Sequence, residues 1–394
     1  MAIQLAKRMQ RLGTETAFEV LARARALEAK GKSVVHLEIG EPDFDTPRNI
    51  VDAGVKALQS GATHYGPSAG LPEARKAFAE HFSADRGVKV TPEQFVICPG
   101  AKPILYFVIT ALVDEGDEVV YPNPGFPIYE SVIDFVDAKA VPLPLREEND
   151  FRIDHEELRK SVNPKTKLII INSPGNPTGG VLTKEDLQVV ADVAKENDCW
   201  VLADEIYSHI VYDGEHHSIL EIDGMAERTI VLDGHSKTYA MTGWRLGYGV
   251  MPEELAPAIA RLMTNVNSCT ASFTQLAGVE ALMGDQSGAE AMVKEFKVRR
   301  DLLVDALNAI DGVSCKKPGG AFYVFPNISA LGVPQDEFAR TLLDEYGVAS
   351  LAGTSFGAHG AGYLRFSYAA SQDDLREAAT RLRKYVDDLG KAGA

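Results

Sequence analysis

The stretch SKTYAMTGWRLGY, from Ser236 to Tyr248, holds a lysine at Lys237 and an arginine eight residues later at Arg245, with Thr-Gly-Trp just before the arginine. Immediately upstream, TIVLDG is a short apolar run rich in β-branched residues, which predicts a buried strand. Lys237 therefore falls just past a strand end, in a loop of small and polar residues. Two chemistries fit. Most lysines are solvated charges, because Lys is almost never fully buried without a partner. The alternative is an amine nucleophile that forms a Schiff base, with a nearby cation that anchors a phosphate.

Four loops follow predicted strand ends and carry unusual polar residues: PGAKP (Pro99 to Pro103), NSPGNPTGG (Asn172 to Gly180), ADEIY (Ala203 to Tyr207) and GHSK (Gly234 to Lys237). In an open α/β sheet, ligands bind beyond the carboxyl ends of the strands. Taken singly, each loop has an ordinary reading. PGAK can be a strand-to-helix turn, NSPGNPTGG a loop stiffened by Pro and Gly, and Asp204 a helix cap. Packing explains their joint arrangement much less easily.

The elements that must position these loops are legible as alternating patterns. AKPILYFVITALV (Ala101 to Val113) reads as a buried helix, and EDLQVVADVAKEND places Leu187, Val190 and Ala194 on one helical face. FVIC, EVVYP, KLIIINSPG, CWVLADEIY and TIVLDG are apolar on both faces, as in a largely parallel sheet covered by helices. RLGYGV follows the lysine loop too soon for a helical crossover, which suits an antiparallel strand. The ends differ: a helix over about 14–31, the strand and loop HLEIGEPDFDTP, a long amphipathic helix after about 282 with Phe296, Leu303, Leu307 and Ile310, the strands GGAFYVF and YLRFSYA, and a last helix. The expected organisation is α/β, with a large domain over 46–281 and a smaller α+β domain built from 1–45 and 282–394.

Bulk composition excludes other classes. The 394 residues exceed one typical domain. With 56 acidic against 40 basic residues, the net charge of -16 repels phosphate backbones, and no basic block opposes that, so no nucleic-acid partner is expected. Cys98, Cys199, Cys269 and Cys315 are scattered and form no Cys-x-x-Cys, which fits a reducing compartment and offers no disulfide framework or zinc site. No metal is expected. The N-terminal MAIQLAKRMQRLGTETAFEV lacks the continuous apolar core of a signal peptide, and nowhere do about 18 apolar residues run together. The expectation is a cytoplasmic protein with no membrane partner.

Taken together, LEIGEPDFDTP, THYGPSAGLPEAR, PGAKP, NSPGNPTGG, ADEIY, SKTYAMTGWRLGY and YLRFSYA resemble the fold-type-I pyridoxal-phosphate enzymes, specifically the class I/II aminotransferases of the aspartate, tyrosine and aromatic kind. The match runs in order from about Thr14 to the final helix. It is specific for cofactor and fold and far less so for substrate.

The resemblance implies a role for each residue. Lys237 would carry the cofactor as an imine and move the Cα proton of the substrate. Asp204, at the end of the buried CWVLAD, would keep the ring nitrogen protonated. Tyr207 and Asn176 would donate to the ring oxygen. Phe126, in NPGFPIY, would stack on the ring, unless it is simply a core phenylalanine. Gly100, Ala101 and Lys102 open a helix whose N–H groups suit an anion; Ser236 and Arg245 would complete the phosphate site. Many relatives carry Ser where this chain has Gly234, so one phosphate hydrogen bond is missing or supplied otherwise. Tyr65 and Thr270 match residues that reach the neighbouring subunit's cofactor, which implies a homodimer with shared active sites. Arg365 would grip the substrate α-carboxylate, helped by Asn176 and the Gly40 backbone. The implied reaction moves an amino group from an L-amino acid to a 2-oxo acid such as 2-oxoglutarate, by way of pyridoxamine phosphate. A fold-type-I enzyme of another outcome, a C–S β-lyase or an amino-acid oxidase, would use the same residues. For the substrate side chain, Glu15, Thr16 and Phe18 occupy the covering segment; Glu15 either faces the pocket or is a helix-start acid favoured by the dipole.

Overall fold

The computed structural model describes residues 3–392. Its strands, in chain order, are β1 (Val35–His36), β2 (Phe95–Cys98), β3 (Glu118–Asn123), β4 (Lys139–Pro144), β5 (Thr166–Asn172), β6 (Trp200–Asp204), β7 (Thr229–Gly234), β8 (Gly247–Val250), β9 (Tyr323–Val324), β10 (Val348–Ala349), β11 (Leu351–Ala352) and β12 (Leu364–Ser367). Seven of them form one sheet in the order β2-β8-β7-β6-β5-β3-β4. Strand β8 runs antiparallel to both β2 and β7, and the remaining pairs are parallel. Six strands therefore point the same way, and their carboxyl ends share one edge of the sheet. The closeness of RLGYGV to the lysine loop has the expected consequence: β8 is the reversed strand.

Burial on both faces holds this sheet. Every residue of β2, β3 and β7 is buried. Each Val, Ile or Leu so placed contributes roughly 1.5–3 kcal/mol relative to exposure. The helix Lys102–Leu112 covers the sheet with Ile104, Leu105, Phe107, Val108 and Ile109, all buried. The helix Lys184–Glu196 is started by a capping box, in which Thr183 Oγ1 accepts from the Asp186 N–H and the Asp186 carboxylate accepts from the Thr183 N–H.

The two ends of the chain meet. Strand β1 pairs in parallel with β10, and β11, β12 and β9 form an antiparallel sheet that carries Arg365 opposite Leu351. The long helix after 282 is Ser287–Asn308, and the last is Gln372–Ala392. The expected strand GGAFYVF shortens to Tyr323–Val324, because Ala321 takes a φ of 57° and breaks the extended run. Ile310, expected on the long helix, is buried just beyond its end. No described helix is long and apolar enough to cross a membrane.

Candidate active site

A cavity of about 470 Å³ opens where the carboxyl ends of β5, β6 and β7 meet the segments brought in from both chain ends. Lys237 stands three residues past β7 and faces this cavity. Its Nζ donates to the Gly40 carbonyl at 2.5 Å and sits 5.8 Å from the Phe322 ring centroid. Desolvation pulls its pKa down to about 8, Arg365 adding to the shift and Glu41 opposing it. A lysine poised this way holds a substantial neutral fraction near neutral pH, which an ordinary solvated lysine does not.

Asp204 ends β6 in the same wall and is buried. Its Oδ2 accepts from the Tyr129 hydroxyl at 2.6 Å, and its Oδ1 accepts from the Ile206 N–H at 3.3 Å. Burial raises its pKa to about 6, with the Tyr129 hydrogen bond working the other way. A cation placed beside it would bring that value down again, so the site suits a protonated ring nitrogen. Tyr207 lies three residues on, its hydroxyl 2.8 Å from that of Tyr323.

Arg365 projects from β12 into the cavity wall and is buried. Nη1 donates to Asn176 Oδ1 at 3.2 Å and Nη2 to the Glu38 carbonyl, while Nε has no partner among the described residues. Its guanidinium rests over the rings of Tyr323 and Phe356, at 4.5 and 4.9 Å. A buried guanidinium whose partners are neutral oxygens, with a donor to spare, is matched to an incoming carboxylate. Asn176 is fixed in turn by its N–H, which donates to Asn172 Oδ1 at 2.8 Å.

Another group of residues at the cavity has the chemistry to hold an anion. Gly100 has a φ of 93°, and a Cβ there would collide with the Arg245 guanidinium, so only glycine lets that side chain lie against the backbone. Arg245 itself takes a left-handed φ of 52° after the turn Thr242–Trp244, and its Nη1 donates to the Thr242 carbonyl at 2.7 Å. Ala101 and Lys102 begin the helix Lys102–Leu112, whose first turn holds no acidic residue. Ser236 lines the cavity beside them.

Residues 32–382 match the family model described as aminotransferase class I and II. The chain belongs to that family. An aspartate aminotransferase of Pyrococcus horikoshii is 41% identical over 372 residues, 94% of each chain. The aromatic-amino-acid aminotransferase 2 of Thermococcus litoralis is 41% identical over 91% of this chain and 92% of its own. Among solved structures, the aspartate aminotransferase of Thermus thermophilus with maleate superimposes with a TM-score of 0.92 at 37% identity, covering 97% of this chain and 100% of that one.

Other expected residues of this aminotransferase fall in different places. Phe126 lines the cavity, with the Lys102 ammonium 5.3 Å from its ring centroid. Lys102 pairs with Glu15, which faces the cavity, as do Thr16 and Phe18. Gly234 has a steric reason: a Cβ there would lie 2.8 Å from Gly247 Cα and 3.0 Å from the Leu246 carbonyl. Tyr65 and Thr270 do not line the cavity of their own chain. Tyr65 is 89% exposed. Thr270 is buried, and its hydroxyl donates to the Ile97 carbonyl at 3.0 Å, which leaves it turned inward within its own chain.

Several cavity residues or supports had no role in the sequence reading, Phe356 among them. Tyr129 stands three positions after Phe126, Asn172 opens NSPGNPTGG, and Tyr323 lies in GGAFYVF, which was legible only as a strand. Tyr129 and Asn172 sit inside motifs already singled out, and that proximity was the available signal.

Proposed function

We propose that this aminotransferase holds pyridoxal phosphate in the 470 Å³ cavity and moves the amino group of an L-amino acid to a 2-oxo acid such as 2-oxoglutarate. The observation that carries this reading is Lys237, with its lowered pKa, facing the same cavity as the buried carboxylate of Asp204. The residues present fit that cofactor. The Gly100 cradle, the acid-free helix start and the Arg245 guanidinium suit its phosphate, and the buried Asp204 suits its ring nitrogen. When bound, pyridoxal phosphate supplies an electrophilic aldehyde and a ring that takes up the charge left on the substrate Cα.

The chain's own residues do the rest. Arg245, Ser236 and the N–H groups of Gly100, Ala101 and Lys102 bind the phosphate. Asp204 holds a proton on the ring nitrogen. Tyr207 and Asn176 would donate to the ring oxygen, and Phe126 would pack against the ring. Arg365 takes the substrate α-carboxylate in its fork, with Asn176 and Gly40 beside it, and so orients the Cα–H bond. Lys237 leaves the Gly40 carbonyl, takes the Cα proton as a general base, and later gives a proton back as a general acid.

Lys102 is already paired with Glu15. A second substrate carboxylate has to compete with Glu15 for it, so the side-chain preference depends on that pair. The exposed Tyr65 supports a homodimer whose subunits complete each other's sites. The pairing of β1 with β10 supports a smaller domain made of 1–45 and 282–394 beside a large domain of 46–281. The free thiols of Cys98, Cys199, Cys269 and Cys315 suit the cytoplasm.

The test is an amino-donor panel of aspartate, phenylalanine and alanine with 2-oxoglutarate, read as glutamate formed. Stoichiometric glutamate and 2-oxo acid are expected. Pyruvate and ammonia from an S-alkylcysteine added to the panel, without glutamate from any donor, would replace transfer by C–S lyase chemistry.

A further inference from the structure

Outside the active cavity, three potential ligands converge. His81 and Asp85 sit four residues apart on the helix Pro72–Arg86, hence on one face of it. His209, in the turn that follows β6, lies against that face. One ligand atom from each comes within 4.8 Å of the other two. His209 Nε2 is 3.3 Å from Asp85 Oδ2, and the two imidazole centroids are 6.3 Å apart.

An ordinary ion pair explains part of this cluster. Asp85 Oδ2 also accepts from Arg86 Nη1, so the carboxylate is satisfied without help. His81 is not: its Nε2 is buried and has no partner of hydrogen-bond geometry among the described residues, and the Leu282 backbone offers the imidazole only a weak contact. The Arg86 guanidinium pairs with Asp85, Glu205 and Asp233, while His209 stands beside Asp85 and His216 beside Glu205. An orphaned imidazole nitrogen close to a carboxylate and a second imidazole favours a metal cation.

We propose that His81, Asp85 and His209 bind a divalent transition-metal ion of the zinc class, through two imidazole nitrogens and one carboxylate oxygen. Tetrahedral ligation with bonds of about 2.0–2.2 Å puts neighbouring ligand atoms about 3.3–3.5 Å apart. The Asp85–His209 separation already has that length. The others close by about 1.5 Å at most, within the reach of side-chain rotation. Two nitrogen donors with one carboxylate select against calcium and magnesium, which take oxygen shells. A fourth position remains for water. The ion would tie the helix to the turn behind Asp204 without entering the cavity, so amino transfer does not require it.

The test is calorimetric titration of untagged, chelator-treated holoenzyme with zinc chloride. One equivalent per chain should bind with a Kd below about 10 µM. His209→Ala and His81→Gln should each weaken it by at least about tenfold, comparable to what lesser changes around metal sites produce. His155→Gln, at a histidine elsewhere on the surface, should leave it unchanged. Zinc should also raise the melting temperature of the wild type and of His155→Gln, but of neither site variant. No binding at this level, or binding that survives in whichever site variant folds, would overturn the proposal. So would loss in His209→Ala alone, because His81 would then be no ligand.

Discussion

Tyr129 donates its hydroxyl hydrogen to Asp204 Oδ2 at 2.6 Å, and both residues are buried. The two lie 75 positions apart, Tyr129 on the helix Ile128–Phe135 and Asp204 at the end of β6. The bond does two things. It holds the carboxylate in one orientation, and it favours the ionised form against the burial that raises its pKa to about 6.

Tyr129→Phe should therefore raise the Asp204 pKa further in the cofactor-free protein, so that the stability lost as pH rises from the unfolded value continues to a higher pH. Removing a hydrogen bond to a buried charged group costs about 1.5–3 kcal/mol of stability when that group is ionised. Denaturant melts of the cofactor-free protein across pH read both effects. An unmoved end to that decline would remove Tyr129 as a positioning residue for Asp204.

Lys237 titrates near pH 8 rather than at its ordinary 10.5. The rate at which cofactor-free protein forms its covalent link to pyridoxal phosphate should rise with a midpoint near pH 8, read by absorbance in stopped flow. The same shift has a stability consequence of defined sign. Between the two values the unfolded chain binds the extra proton, so stability of the cofactor-free protein rises with pH through that window. A midpoint near pH 10 would mean a solvated amine.

Arg365→Lys keeps the charge but loses the planar fork. The kcat/KM for amino-acid donors should fall about 10- to 100-fold, the worth of one charge-assisted hydrogen bond. Cofactor content, read by absorbance, should stay at wild type. Loss of cofactor together with activity would place Arg365 in cofactor binding instead.

Much of this was legible locally. TIVLDG and CWVLAD are apolar on both faces and became β7 and β6, and the reactive residues follow their ends in contiguous motifs. The rest depends on distant contacts. Nothing near Tyr129 announces Asp204, because only the crossing of a helix over the sheet joins them. The glycine at 234 reads as a departure from the family serine, yet its reason is the close approach of β8 at Gly247. Tyr323 looked like one residue of a strand, and the turn at Ala321 gives it a place between Tyr207 and Arg365. Thr270 matched a motif whose neighbour-facing role its bond to Ile97 does not display.

If subunits share sites, two inactive variants should rescue each other. Tyr65→Ala mixed with Lys237→Ala gives hybrid dimers in which one site carries both lesions and the other neither, and random exchange makes about half of the dimers hybrid. Activity should return to a fraction of wild type after mixing. No rescue after verified subunit exchange, or an active monomer, would leave Tyr65 as an ordinary surface tyrosine.

The most direct test is reductive trapping. Borohydride added to the yellow holoenzyme, followed by proteolysis and mass spectrometry, should place the reduced cofactor on the peptide containing Lys237. Lys237→Ala should show no such adduct and should lose amino transfer by about 10³-fold or more, the scale on which a lysine serving as both nucleophile and general base acts. Wild-type levels of a reducible adduct on any other lysine in that variant would contradict the assignment.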